Sequence, residues 1–156
     1  MKLNKTWRAI AYDHRGTGAT IAAARSITFE ALVDDLFAVL DALGVEGCVL
    51  AAKSAGAAGA VQAVAQQPEC FSGLVLVDGM FSGPAPGERD PFKEFVQKDF
   101  EVAIGWFVDA CVPETEPNST AVRHWGRQIL VRSAQAAPVR LLECMAGVDV
   151  RPYCPK

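Results

Sequence analysis

The sequence has few of the residues from which metal sites and disulfide frameworks are built. Only two histidines, His14 and His124, occur among 156 residues, and they stand far apart in the chain. The cysteines number five, and they are scattered without any C-x-x-C pair. A zinc site needs Cys or His at ligand spacing, and a disulfide framework needs cysteines in pairs. We therefore predict reduced thiols, no metal and no cofactor.

Long apolar runs and an excess of one charge are also missing. Fifteen Lys and Arg stand against 18 Asp and Glu, a net charge of −3, and the two signs are interspersed along the chain. Proteins that wrap nucleic acid carry a basic surface, so we predict no nucleic-acid partner. No run approaches the roughly 18 apolar residues of a membrane span, so we predict no membrane partner. The first residues lack the apolar segment of a signal peptide, which indicates a cytoplasmic location.

What the sequence does contain is the pattern of a single globular domain. The length suits about one domain, and 51% hydrophobic against 21% charged residues suits a folded core. Short apolar runs predict three buried strands, at residues 8–13, 48–51 and 74–77. The segments between them have helical patterns, an amphipathic one from Thr28 to Gly44 and a small-residue one at 55–67. Strands that alternate with helices through short links predict an α/β fold with a parallel sheet.

The character of the chain changes after Asp78. Residues 79–87 are rich in Gly and Pro and predict a loop. Asp90 followed by a proline then begins a helix that we expect to run to about residue 111. Two more helical patterns follow, with no strand pattern between them, at residues 120–134 and 138–146. The second half therefore predicts an all-helical appendage to the α/β unit.

The strongest site candidate is the pentapeptide AKSAG at residues 52–56. It places Ser54 between an apolar strand and a helix of small residues. A serine on such a sharp turn exposes its hydroxyl above the sheet, and the first N–H groups of the helix point to where an oxyanion would form. The pentapeptide is one step from G-x-S-x-G, with Ala52 in the place of the first glycine. This pattern predicts that Ser54 is a nucleophile.

Together with two further motifs, this turn makes the chain resemble an α/β-hydrolase. The motif DHRGTG at residues 13–18 resembles the family's D-x-R-G-x-G loop, and GLVLVD at residues 73–78 resembles the strand after the nucleophile. The resemblance implies a partial α/β-hydrolase core at residues 1–79 and a helical cap at residues 80–156. It further implies a serine hydrolase, an esterase or lactonase, that cleaves a small carboxylic ester or lactone through an acyl-enzyme.

The resemblance also implies roles for individual residues. Ser54 would be the nucleophile, the backbone N–H of Ala55 would stabilise the oxyanion, and Asp78 occupies a place where some members keep their acid. The family's histidine comes late in the chain, after the serine and the acid. Neither His14 nor His124 matches that position, so we predict that neither is catalytic.

Relative to the family, strands are missing on both sides of the residues that carry the resemblance. We therefore expect a chain that is truncated at both ends, with open edges on its sheet. Such a sheet would be completed by the missing segments or by homo-oligomerisation.

Two other interpretations stay open. The first is a catalytically inactive homologue that keeps the pocket and the cap and only binds its ligand. The second is a nucleotide binder with a P-loop. The segment GCVLAAKS at residues 47–54 is one glycine short of G-x-x-x-x-G-K-S, with Lys53 and Ser54 in the last two places.

Overall fold

The computed structural model describes residues 6–20, 22–133 and 135–154, and within them the chain forms two strands and six α-helices. The first half contains α1 (Phe29–Ala42), β1 (Cys48–Lys53), α2 (Gly56–Gln66) and β2 (Phe71–Val77). The second half is helical and contains α3 (Pro91–Lys98), α4 (Phe100–Cys111), α5 (Ser119–Leu130) and α6 (Ala136–Cys144). Short 3₁₀ turns lie at Ala24–Ser26, Pro68–Cys70 and Arg151–Tyr153. This order confirms the predicted α/β class.

Helix α1 begins and ends where its sequence signals predict. The Thr28 side chain accepts a hydrogen bond from the Ala31 N–H at 3.1 Å, which caps the first turn. Gly44 follows the last turn with φ of 59°, a left-handed conformation that glycine adopts without steric cost. Val33 and Leu40 are buried along one face. The amphipathic pattern therefore fixes which side of α1 packs inward.

The strands β1 and β2 pair in parallel, and α2 connects them. The register places Leu50 opposite Leu74 and Lys53 opposite Val77. Ala57 and Ala58 in α2 are 0% exposed, because small side chains let the helix lie close to the sheet. The βαβ unit brings the carboxyl ends of both strands to one edge.

The predicted first strand at residues 8–13 is wrong. Among the described residues, the sheet has two strands, and no backbone group of residues 8–13 is hydrogen-bonded to either of them. An apolar run becomes a strand only when a neighbouring strand pairs with its N–H and C=O groups. Residues 8–13 have no such pairing among the described residues, so their apolar run does not form a strand.

The two faces of the sheet differ in how they are covered. Leu74 and Leu76 pack against a core that includes Val61 of α2 and the later residues Met145 and Val150. On the opposite face the valine side chains remain open to solvent, with Val75 48% and Val77 53% exposed. The sheet is thus layered on one side only within the described residues.

The first helix of the appendage is interrupted at Asp99, so the prediction of one helix from residue 90 to 111 is wrong. Asp99 has extended backbone angles, and its carboxylate caps α4 by accepting the Val102 N–H at 3.2 Å. The break folds α4 back beside α3, which brings Phe92 against Trp106 and Phe107 at ring-centroid distances of 5.8 and 5.6 Å. None of the helices in the described ranges has both the length and the apolar character that crossing a bilayer requires.

The chain returns to the core after α6 through a short antiparallel contact. Ser82 and Asp149 form an isolated bridge, and the N–H of Gly83 donates to the Val148 carbonyl at 2.9 Å. The N–H of Val150 donates to the Phe81 carbonyl at 2.9 Å. These bonds hold the segment after β2 against the end of the chain.

Candidate active site

Ser54 lies on the turn between β1 and α2 in a strained conformation. Its φ is 53°, in the left-handed region that residues with a side chain rarely occupy. The Ser54 N–H donates to the Val77 carbonyl at 3.1 Å, and the Ser54 carbonyl accepts from the Met80 N–H at 3.0 Å. The last residue of β2 and the segment that follows it therefore both bind the backbone of Ser54, and the side chain of Ser54 is exposed.

The N-terminus of α2 starts directly after this serine. Ala55 is the N-cap residue, and the N–H of Ala57 donates to the Ser54 carbonyl at 3.0 Å. Among the described residues, the N–H groups of Ala55 and Gly56 have no backbone or side-chain acceptor. Free N–H groups at a helix start carry partial positive charge, so they favour an anion placed beside Ser54.

Asp78 comes directly after β2, at the same edge of the sheet as Ser54. It too has a left-handed backbone, with φ of 52°, and its side chain is exposed. Within the described part of the chain, no hydrogen bond joins its carboxylate to the Ser54 hydroxyl. The structure thus places the two residues directly after the ends of the paired strands, each with a left-handed backbone.

Met80 is a residue of this site that the sequence analysis missed. The Ser54 hydroxyl Oγ donates to the thioether Sδ of Met80 at 3.8 Å. Between Asp78 and Met80, a side chain on Gly79 would come within 2.8 Å of the Ala57 Cβ, so only glycine fits there without displacement. The available sequence signal was the Asp-Gly pair after a strand, which is typical of a tight turn.

The two histidines lie in other surroundings. His14 is exposed on the loop after residue 13, where its ring meets Tyr12 edge-on at 5.3 Å. His124 is exposed on α5. Neither imidazole is hydrogen-bonded to Ser54 in the ranges that the structure describes.

The DHRGTG motif holds its own loop together. The Asp13 carboxylate accepts the Ala19 N–H at 2.9 Å. The Arg15 guanidinium binds both oxygens of Asp35 in α1, at 2.6 and 2.5 Å, and also donates to the Ser26 carbonyl at 2.8 Å. The hydrogen bond to Asp35 raises the pKa of Arg15 above its usual value. These contacts fix the loop of the motif to α1. We call the Arg15–Asp35 ion pair the latch.

This latch predicts a measurable cost for the change Asp35→Asn. The ion pair is partly buried, with side-chain exposures of 23% for Arg15 and 27% for Asp35. Its bidentate geometry requires a carboxylate, which asparagine lacks. We expect the free energy of unfolding in urea to fall by about 1–2 kcal/mol. The control is Glu94→Gln, which breaks the similarly bidentate but exposed ion pair with Arg89 and should lower the free energy of unfolding far less than Asp35→Asn does, because solvent screens an exposed pair. Equal effects of the two changes would contradict the latch.

The P-loop interpretation is wrong. Residues 48–53 form the strand β1, whereas a phosphate-binding loop needs its backbone N–H groups free to wrap the phosphate. Lys53 is the last residue of that strand and is paired in register with Val77. The segment therefore has no phosphate cradle.

Two cavities of the described chain lie away from Ser54. One of about 380 Å³ is lined by residues of α6 and by Arg25 and Gln97. Another, of about 270 Å³, lies between Phe29 and the segment that follows α6. No group of three or more His, Cys, Asp or Glu among the described residues is arranged to hold a metal ion. Ser54 lines neither of these two cavities, and its side chain is exposed.

Comparison with known proteins adds family evidence to this geometry. The sequence model of the family described as serine aminopeptidase S33 matches residues 3–139. A Caulobacter vibrioides protein named "Putative carbamate hydrolase RutD" is 33% identical over 91 residues, which cover 58% of this chain and 34% of that protein.

Two solved structures share the fold. The esterase EaEST from Exiguobacterium antarcticum matches with a TM-score of 0.77 and 17% identity, over 90% of this chain and 56% of that one. The enol-lactonase from Burkholderia xenovorans LB400 matches with a TM-score of 0.73 and 20% identity, over 91% and 55%. The chain spans about a third of the curated relative and just over half of the two solved structures.

Proposed function

Because the chain belongs to the serine aminopeptidase S33 family of α/β-hydrolases, we propose that it hydrolyses a small carboxylic ester or lactone with Ser54 as the nucleophile. One observation carries the proposal: Ser54 is held at a positive φ between β1 and α2, with its hydroxyl exposed. The names of the compared proteins, a carbamate hydrolase, an esterase and an enol-lactonase, all describe attack on an acyl carbon.

The proposed reaction has two steps. The Ser54 hydroxyl oxygen attacks the acyl carbon and transfers its proton to a base, and the carbonyl oxygen becomes an oxyanion that the Ala55 N–H stabilises. The bond to the alcohol oxygen then breaks, the alcohol leaves with a proton, and an ester remains on Ser54. Water attacks that ester in the second step, which releases the acid and restores the hydroxyl. With a lactone the product is a single hydroxy acid.

The proton transfers need a base near Ser54. In our proposal Asp78 is the acid that orients the base, since it follows the neighbouring strand. The imidazole would be supplied by a second copy of the chain or by a further segment of a longer protein. A hydroxyl without an imidazole within hydrogen-bond reach is a weak nucleophile.

A binding-only homologue is the second candidate function. It is favoured by one contact, because the described hydrogen-bond partner of the Ser54 hydroxyl is the thioether of Met80. A thioether is a weak acceptor and takes no proton at ordinary pH, so it does not activate the serine. Such a protein would hold an ester or lactone at the same edge without cleaving it.

Labelling with an alkyl fluorophosphonate separates these two functions. The probe reacts with activated serines, so we expect one adduct per chain by intact mass, absent in Ser54→Ala. The matched control is Ser72→Ala, which removes another exposed serine near the opposite end of the sheet and should leave the adduct unchanged. An unlabelled wild-type chain, or an adduct that persists in Ser54→Ala, rejects the proposed nucleophile.

A further inference from the structure

Met80 touches the nucleophile with both its backbone and its side chain. Its N–H donates to the Ser54 carbonyl at 3.0 Å, and its Sδ lies 3.8 Å from the Ser54 Oγ. The two residues are 26 positions apart in the chain. Their contact is therefore made by the tertiary fold.

The backbone before Met80 fixes this position. Asp78 turns the chain with φ of 52°, and Gly79 then passes so close to Ala57 that an added Cβ would lie 2.8 Å from the Ala57 Cβ. The segment has no room to move toward α2. Met80 consequently lies beside the Ser54 turn, with its backbone and its side chain both in contact with Ser54.

The Met80 side chain is not needed for the core. Met80 is 45% exposed, so a large part of its apolar side chain stays open to contact with a ligand. An acyl group attached to the Ser54 Oγ begins one bond from that oxygen, and the Met80 Sδ lies 3.8 Å from the same atom, so the acyl chain starts beside this side chain. A thioether side chain is apolar, polarisable and adaptable in shape, and it makes favourable contacts with aliphatic groups.

We infer that Met80 is a specificity-determining residue, the apolar wall against which the acyl group of the substrate packs. The inference rests on the proposed function of Ser54 and narrows its substrates to esters or lactones with an uncharged aliphatic acyl chain. Longer aliphatic acyl groups offer more carbon atoms for contact with this wall than an acetyl group does.

The first test measures acyl-chain preference. We compare kcat/KM for p-nitrophenyl hexanoate and p-nitrophenyl acetate in the wild-type chain, in Met80→Ala and in the conservative Met80→Leu. The ratio of kcat/KM for hexanoate to that for acetate should fall about tenfold in Met80→Ala, because the longer chain loses more apolar contact than the acetyl group does. Met80→Leu should keep most of the ratio. A purely structural role would lower both rates together and leave the ratio unchanged, which would overturn the inference.

The second test does not need catalysis. The chain has three methionines, and ¹³C-methyl labelling gives one NMR signal for each. In the full chain carrying Ser54→Ala we titrate 2-heptanone, an aliphatic ketone that cannot be cleaved. The Met80 methyl signal should shift saturably, while the signal of Met145, only 8% exposed in the core, stays in place. A Met80 signal that does not move, or that moves in step with Met145, overturns the inference.

The two tests separate failure of the inference from failure of the proposed function. No ester hydrolysis by the wild-type chain together with a saturable Met80 shift rejects Ser54 as a nucleophile and supports Met80 as a ligand contact. If the wild-type chain hydrolyses the esters and Met80→Ala keeps the same acyl preference, the proposed function is supported and the role of Met80 as the apolar wall is rejected.

Discussion

Replacing Ser54 with alanine is expected to lower the rate of ester hydrolysis by at least about 10³-fold, because the nucleophilic oxygen is removed while binding is retained. The stability of the chain should change little, since Ala keeps the Cβ that causes the strain at φ of 53°. Initial rates with p-nitrophenyl hexanoate and urea unfolding measure the two effects. If Ser54→Ala retained more than about a tenth of the wild-type hydrolysis rate, Ser54 would not be the nucleophile.

The companion change Ser54→Gly separates strain from chemistry. Glycine adopts the left-handed region without a steric penalty, so we expect Ser54→Gly to be more stable than Ser54→Ala by about 1 kcal/mol. Both variants should be equally inactive. If Ser54→Gly is the less stable of the two, the turn stores no strain. The expected pattern, more stable and without activity, is typical of a site where strain supports function.

Replacing Gly83 with alanine is expected to destabilise the chain by about 3 kcal/mol or more, or to prevent folding. An added Cβ would lie 1.8 Å from the Met145 carbonyl oxygen. This oxygen belongs to the backbone, so it cannot move aside as the end of a flexible side chain can. This steric clash would separate residues 81–83, which follow β2, from residues 148–150, which follow α6. That separation would also break the hydrogen bond from the Gly83 N–H to the Val148 carbonyl.

Gly47→Ala is the matched control for Gly83→Ala. An added Cβ on Gly47 meets no atom within 4 Å, so the change should alter the free energy of unfolding by less than about 0.5 kcal/mol. Urea unfolding followed by tryptophan fluorescence measures both variants. A Gly83→Ala chain as stable as Gly47→Ala would show that the return of the chain after α6 does not pack as described.

The proposed activity also depends on the segment after α6, which packs back against the core. Met145 and Val150 lie in the same core cluster as Ala58 and Val61 of α2, the helix whose N-terminus follows Ser54. Loss of the contact at Gly83 would therefore loosen the core that supports the Ser54 turn. We attribute the position of Ser54 to this core as much as to the local sequence around it.

Features that depend on nearby residues were determined by the sequence alone. Thr28 and Gly44 set the ends of α1, and the apolar runs of β1 and β2 were recognisable as strands. The strand pattern before Ser54 and the small-residue helix pattern after it are both local, so they predicted the turn on which this serine lies. Caps, turns and hydrophobic periodicity act over one or two helical turns, so a single sequence carries them in full.

Features that join distant residues were decided only by the tertiary structure. Residues 8–13 have the composition of a strand, yet pairing requires a neighbour that composition does not supply. The contact of Met80 with Ser54 and the latch between Arg15 and Asp35 likewise depend on how separate elements dock. Local propensity says which element a segment prefers, whereas side-chain contacts across the fold follow from packing that the whole chain determines at once.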